Sequence, residues 1–115
     1  MKVAIASDDR KTISHHFGRA KGFAVYEIKD GKAAGSQYRE NIGKSKGECG
    51  TCDHAAMIKN IADCKFVVSH GMGQRIYDDL TAKGIIPIVT DEDSVETAMA
   101  KFLGQDLINR LDRLH

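Results

Sequence analysis

In the stretch Glu48-Cys-Gly-Thr-Cys-Asp-His54, two thiols and an imidazole fall within six consecutive residues. Cys49 and Cys52, spaced by two residues, can grip one soft metal from a single turn, and His54 adds a nitrogen donor. Asp53 suits a helix N-cap, and the positive end of a helix starting there favours thiolate over thiol. The second Cys pair of a zinc ribbon is absent from the sequence, so any further ligands come from elsewhere in the chain. Dithiol redox chemistry fits less well. A thioredoxin-type pair follows a strand closely, whereas this pair ends a glycine-rich stretch. Chance proximity is the third reading.

Two other stretches carry donors. In His15-His16-Phe-Gly-Arg19, neighbouring residues of an extended loop point apart, so at most one imidazole is expected at any one site. Two solvated loop histidines is the simpler expectation. His70 precedes Gly71-Met72-Gly73-Gln74-Arg75, where main-chain N–H groups and a helix start could hold an anion. A tight strand-to-helix connection explains those glycines equally well. Met72 could offer a thioether but is expected to pack, and Cys64 reads as a small core residue. Asp8 and Asp9 could suggest a divalent-metal site as in nucleases. No second acidic cluster completes one, so a charged turn is expected.

The rest of the chain must position these groups. Its 115 residues make one domain, and 42% apolar with 29% charged residues is the balance of a soluble globular chain. A net charge of +1 gives no field for nucleic acid. No apolar run approaches the roughly 20 residues that cross a bilayer. The start, MKVAIASDDRK, turns acidic too soon for a signal peptide. A cytoplasmic protein is expected, where a close Cys pair is metal-binding or redox-active rather than a structural disulfide.

Lys2–Ser7 reads as a first strand and Phe23–Ile28 as a second. Asp30-Gly31 suits a two-residue hairpin turn, with Lys32–Glu40 returning as a solvated edge strand. Residues 41–52 form a loop of the length that is commonly functional. After Asp53, residues Ala55, Ile58, Ile61 and Ala62 recur at helical spacing. Lys65–Ser69 is a strand buried on both faces. A helix follows with Ile76, Tyr77 and Leu80 on one side and Gly84 as its stop. Ile85–Val89 is the last strand, placed at an edge by Pro87. Asp93 and Glu96 resemble a capping box, opening a helix whose stripe is Val95, Ala98, Met99, Phe102 and Leu103. Beyond it, Leu107, Ile108, Leu111 and Leu114 make a further stripe that needs a cover. The order predicts an α/β domain with a mixed sheet, its last two strands parallel. The loops after the first strand and after Phe66-Val-Val should open onto one edge, where ligands of such sheets gather.

Lys2-Val-Ala-Ile-Ala-Ser-Asp8, His16-Phe-Gly-Arg-Ala20, Val67–Arg75, Lys83-Gly84-Ile85 and Val95–Gly104 follow one another at set spacing. In that order they resemble the dinitrogenase iron–molybdenum cofactor biosynthesis family. The resemblance covers residues 1–104 as one domain. It leaves 105–115 as an amphipathic tail, either part of that domain or an oligomer contact. It implies a ribonuclease-H-like three-layer α/β fold, a five-stranded mixed sheet with helices, used without nuclease activity to bind, carry or scaffold clusters. By position, His16, Arg19, Gly71, Gly73 and Arg75 match the family's histidine, basic and glycine-turn residues. The chain departs from the pattern at His15, where proline is frequent, at His70, where glycine is frequent, and at Gln74, where proline is. Its Cys49/Cys52/His54 group is richer in soft donors than that loop usually is.

The leading expectation is therefore a non-catalytic cytoplasmic carrier of an iron–sulfur or iron–molybdenum–sulfur cluster. Cys49 and Cys52 would supply thiolates, with His54, His16 or His70 completing the shell. Arg19, Arg75 and the glycine-turn N–H groups would offset the cluster's charge. Its partners would be cluster donor and acceptor proteins, with neither nucleic acid nor membrane, and the tail could build a homodimer. The alternatives are a structural zinc site ordering an interaction module and, behind it, a thiol redox enzyme.

Overall fold

The computed structural model describes residues 1–15, 17, 20–40 and 58–104. Its strands are β1 (Lys2–Ser7), β2 (Gly22–Lys29), β3 (Lys32–Glu40), β4 (Phe66–Ser69) and β5 (Ile86–Val89). Residues 58–60 are helical, and helices α1 (Gln74–Ala82) and α2 (Val95–Leu103) follow. The strands form one mixed sheet in the order β3-β2-β1-β4-β5. β2 runs antiparallel to both β1 and β3, while β4 runs parallel to β1 and β5.

The period-two pattern of β1 sorts the core into two layers. Ala4 and Ala6 face Phe17, Phe23, Ile58, Ile61, Ile76 and Leu80. Val3 and Ile5 face Ala24, Ile28, Val95, Ala98 and Met99 of the opposite layer. Small residues on β1 leave room for large ones beside them, as where Ala6 pairs with Phe23, whose ring lies 5.3 Å from that of Phe17. In β4, Val67 and Val68 point to opposite layers and both are fully buried, as a strand between two parallel neighbours requires.

The turns follow their local chemistry. Asp30 and Gly31 have φ of 53° and 75°, the left-handed pair of a tight hairpin between β2 and β3. β3 is the solvated edge. β5 is the other, and its N–H groups at Ile86 and Thr90 donate inward, to Lys65 O and Ser69 O. Pro87 thus falls on the outward register, where its missing N–H breaks no ladder bond. α1 buries Ile76 and Leu80 and ends at Gly84, φ 79°. α2 buries Val95, Ala98 and Met99, and Phe102 meets Phe66 edge-on at 5.0 Å.

The start of α2 differs from the expected box. Ser94, not Asp93, is the N-cap, its Oγ accepting from Thr97 N at 3.3 Å. The reason lies in the main chain. Asp93 O accepts from Ile13 N at 2.7 Å, and Thr12 bridges Ser94. That pairing holds residue 93 outside the helix and turns its side chain elsewhere.

An ion network pins β3 to the segment before β4. Arg39 grips Asp63 with both terminal nitrogens, at 2.6 and 2.9 Å, and Lys2 Nζ reaches the same carboxylate at 2.9 Å. The Arg39 guanidinium holds the Asp63 carboxyl well below the usual carboxylate range. Asn60 adds a bond to Glu40 O at 2.8 Å.

Candidate functional site

β1, β4 and β5 all end on one edge of the sheet, because the three are mutually parallel. The loop after β1 leaves through a self-contained turn. Ser7 Oγ donates to Thr12 O at 2.6 Å and accepts from Arg10 N at 2.9 Å. Asp9 Oδ1 accepts from Thr12 N at 2.8 Å, Lys11 N at 2.9 Å and Thr12 Oγ1 at 2.9 Å. Those donors, the Thr12 N–H foremost, lower its carboxyl to about 2. Asp8 accepts from Lys21 N at 2.8 Å. Asp9 is thus committed to the charged turn, while Asp8 ties the turn to the main chain ahead of β2. Arg10, at φ 69°, lays its guanidinium 4.9 Å from the Tyr38 ring, and Tyr38 OH donates to Ser7 O at 2.9 Å.

The loop then crosses the strand ends. Ser14 N donates to Ala6 O at 2.8 Å, His70 N to Ser14 O at 3.1 Å and Phe17 N to Gly71 O at 2.9 Å. On its other side Ile13 N reaches Asp93 O, and Val95 N donates to Lys11 O at 2.8 Å. Three segments far apart in sequence are therefore stitched by main-chain bonds into one rim. Phe17 and Ile13 are buried beneath it.

On this rim His70 follows β4, its side chain 12% exposed, with Nε2 at 3.3 Å from Asp93 Oδ1. The ring of His15 stands edge-on to it, centroids 4.7 Å apart. Gly71 is buried, and its carbonyl also accepts from Ser69 Oγ at 2.9 Å. Gly73 has an extended backbone, φ −73° and ψ 151°, and a Cβ built there meets open space. Glycine is thus not demanded by sterics at 73. Its effect is to leave the start of α1 uncovered, where no described side chain caps the N–H groups, and Arg75 is exposed in the first turn. Uncapped N–H groups suit an anion, and the two imidazoles on the rim suit a soft metal.

His16, Arg19, Cys49, Cys52 and His54 lie outside the described residues. Among the described residues no three His, Cys, Asp or Glu side chains converge as ligands of one ion, so His15, His70 and Asp93 are neighbours without forming a three-donor set. Met72 is buried, as expected. Cys64 is a core residue, and burial pushes its thiol up to about 11. Sequence reasoning missed two things: that His15 meets His70 edge-on, and that Asp93 faces His70 instead of capping α2. The signal for both was the parallel order of β1, β4 and β5, which brings the three loops together.

The described residues contain no helix long and apolar enough to cross a membrane. A family model described as dinitrogenase iron-molybdenum cofactor matches residues 1–105. No curated protein gives a match. Solved structures do: PH0822, at 23% identity, aligns over 97% of this chain and 98% of its own with a TM-score of 0.80. The apo form of the orange protein from Desulfovibrio gigas, at 19% identity, aligns over 96% of this chain and 92% of its own with a TM-score of 0.76. At these identities the likeness is one of fold.

Proposed function

The chain belongs to the dinitrogenase iron-molybdenum cofactor family, and from that premise we propose that it is a non-catalytic carrier or scaffold for a metal–sulfur cluster. The cargo is an iron–sulfur or iron–molybdenum–sulfur cluster in transit during cofactor assembly. The observation that carries this reading is the rim itself: His15 and His70 side by side where the loops of β1, β4 and β5 meet, next to the uncapped start of α1. A sulfide-rich cluster is anionic and soft, so it is served by N–H and guanidinium donors together with imidazole or thiolate ligands. Cys49, Cys52, His54 and His16 are the sequence's own candidates for that shell, with Arg19 and Arg75 offsetting charge.

The proposal includes a ribonuclease-H-like arrangement of the sheet used without hydrolysis. Its support is that Asp9 accepts from main-chain donors of its own turn and Asp8 from the N–H of Lys21, just ahead of β2. Cluster donor and acceptor proteins are the partners, in the cytoplasm.

Anaerobic reconstitution with iron and sulfide tests this. The expected result is a coloured protein holding iron and acid-labile sulfide, with both reduced in a Cys49→Ser, Cys52→Ser double variant and in His70→Ala. Equal uptake by the double variant removes the thiol pair from the site. Absence of iron and sulfide from the reconstituted wild type refutes the carrier reading.

A further inference from the structure

Tyr38 stands on β3, the solvated edge of the sheet, yet its half-buried side chain crosses β2 to the end of β1. Gly22 opens the way. A Cβ there would lie 2.5 Å from Tyr38 Cζ, 2.6 Å from its hydroxyl oxygen and 2.5 Å from Arg39 O. Beyond that notch the hydroxyl donates to Ser7 O at 2.9 Å. Ser7 is the hub of the first rim loop. Its Oγ donates to Thr12 O and accepts from Arg10 N, and residue 7 bridges Ile13, two residues before His15. The same tyrosine ring carries the Arg10 guanidinium at 4.9 Å. Arg10 has φ 69°, a left-handed conformation that a non-glycine residue keeps only where its surroundings fix it. Ser94 and Val95 hold Thr12 and Lys11 from the far side, and Lys21 N reaches Asp8. Tyr38 grips the loop through Ser7 and Arg10. Burial raises its phenol above the ordinary value, with the Asp8 carboxylate adding to the effect, so the hydroxyl stays a donor at neutral pH.

We propose that Tyr38 is a positioning residue for the candidate site: from the edge strand it sets the course on which the first loop leaves β1, and through that loop the stance of the His15 ring against His70. A hydroxyl bonded to a main-chain carbonyl fixes the peptide plane, and a ring facing a guanidinium narrows the conformations open to that arginine. Both effects act at residues 7 and 10, upstream of the imidazole they orient. The site is thereby tied to a strand two places away from β1 in the sheet. The consequence for cargo rests on the carrier reading, whereas the positioning of His15 does not.

Nuclear magnetic resonance of the metal-free, isotope-labelled full chain tests this, with spectra recorded above the imidazole titration range. In wild type the ring protons of His15 should carry a ring-current shift from His70. Tyr38→Phe keeps the ring beside Arg10 and loses only the hydroxyl. It should speed amide exchange at Arg10 by about fivefold, the worth of one ordinary hydrogen bond, and retain part of the His15 shift. Tyr38→Leu should speed that exchange by about a further two- to fivefold through loss of the cation–π contact, and move the His15 protons to the positions of an isolated histidine. Unchanged exchange at Val67 and Val68 identifies a variant whose sheet is intact. A role in stability alone would speed exchange across the whole sheet and leave the His15 shift where it is, and that pattern overturns the proposal. So does wild-type exchange at Arg10 in Tyr38→Phe, which decides even where Tyr38→Leu fails to fold. A chain with this Tyr38-dependent His15 shift that takes up no iron and sulfide supports the positioning role and counts against the carrier reading alone.

Discussion

Truncating Phe17 to alanine weighs how firmly the first loop is anchored over the sheet. The side chain is fully buried, its ring lies 5.3 Å from Phe23, and its N–H donates to Gly71 O at 2.9 Å. Removing a buried phenyl ring costs about 3–5 kcal/mol when the surroundings cannot collapse. Here they cannot easily, because Ala6 on one side is part of the central strand. A domain of this size has on the order of 10 kcal/mol in hand, so the variant should still fold. With a urea m-value of about 1.5 kcal/mol/M the midpoint should fall by about 2–3 M. Phe17→Leu, which keeps most of the volume, should cost about 1 kcal/mol. A double-mutant cycle with Phe23→Ala should return a coupling of about 0.5–1.5 kcal/mol, the usual size for an aromatic pair. The assay is urea unfolding followed by circular dichroism. A midpoint lowered by less than about 0.5 M at unchanged m-value would mean that the loop is not packed into the core, and the rim would lose its foundation.

Asp63→Asn should destabilise by only about 1 kcal/mol, since the carboxylate is 47% exposed despite its bidentate partner. Because its folded-state carboxyl is depressed, that contribution is present above the ordinary Asp range near 4 and fades as pH falls below it. Acid unfolding of Asp63→Asn should therefore show a shallower slope below about pH 4 than wild type, and parallel curves would contradict the network. Cys64 should resist iodoacetamide in the native chain at pH 8, since its thiol is buried and pushed up to about 11; peptide mapping that finds it labelled at the rate of the unfolded chain would contradict that burial. Ser94→Ala should lower stability by about 1 kcal/mol through loss of the α2 cap, with Ser94→Asp close to neutral. In thermal melts, a larger loss from Asp93→Ala than from Ser94→Ala would return the cap to residue 93.

What the sequence disclosed and what it withheld divide along the range of the interactions. Asp30-Gly31, Pro87, Gly84 and the stripe of α2 act through local backbone chemistry or one packing face, and each was legible before any coordinates. The mixed sheet followed from strand order and one crossover helix. At the site, His70 was legible because it ends a strand buried on both faces. Its neighbours were not. The contact with His15 and the approach of Asp93 exist only because β4 lies between β1 and β5, which juxtaposes loops that no local pattern connects. The misplaced cap has the same origin. An Asp three residues before a Glu reads as a box, and it is the tertiary pairing with Ile13 that moves the cap to Ser94. Arg39 with Asp63 is likewise a long-range pair that composition cannot announce.

The tight turn at Asp30-Gly31 sits at the far end of β2 from Gly22, and Gly22 pairs with Ser7 at the rim. Both turn residues are exposed, and space beside Gly31 is open. A fluorophore, affinity handle or short peptide grafted there would stand a full strand length from the candidate site. Loading and hand-over of cargo could then be followed in real time on a tagged chain without disturbing the groups under study.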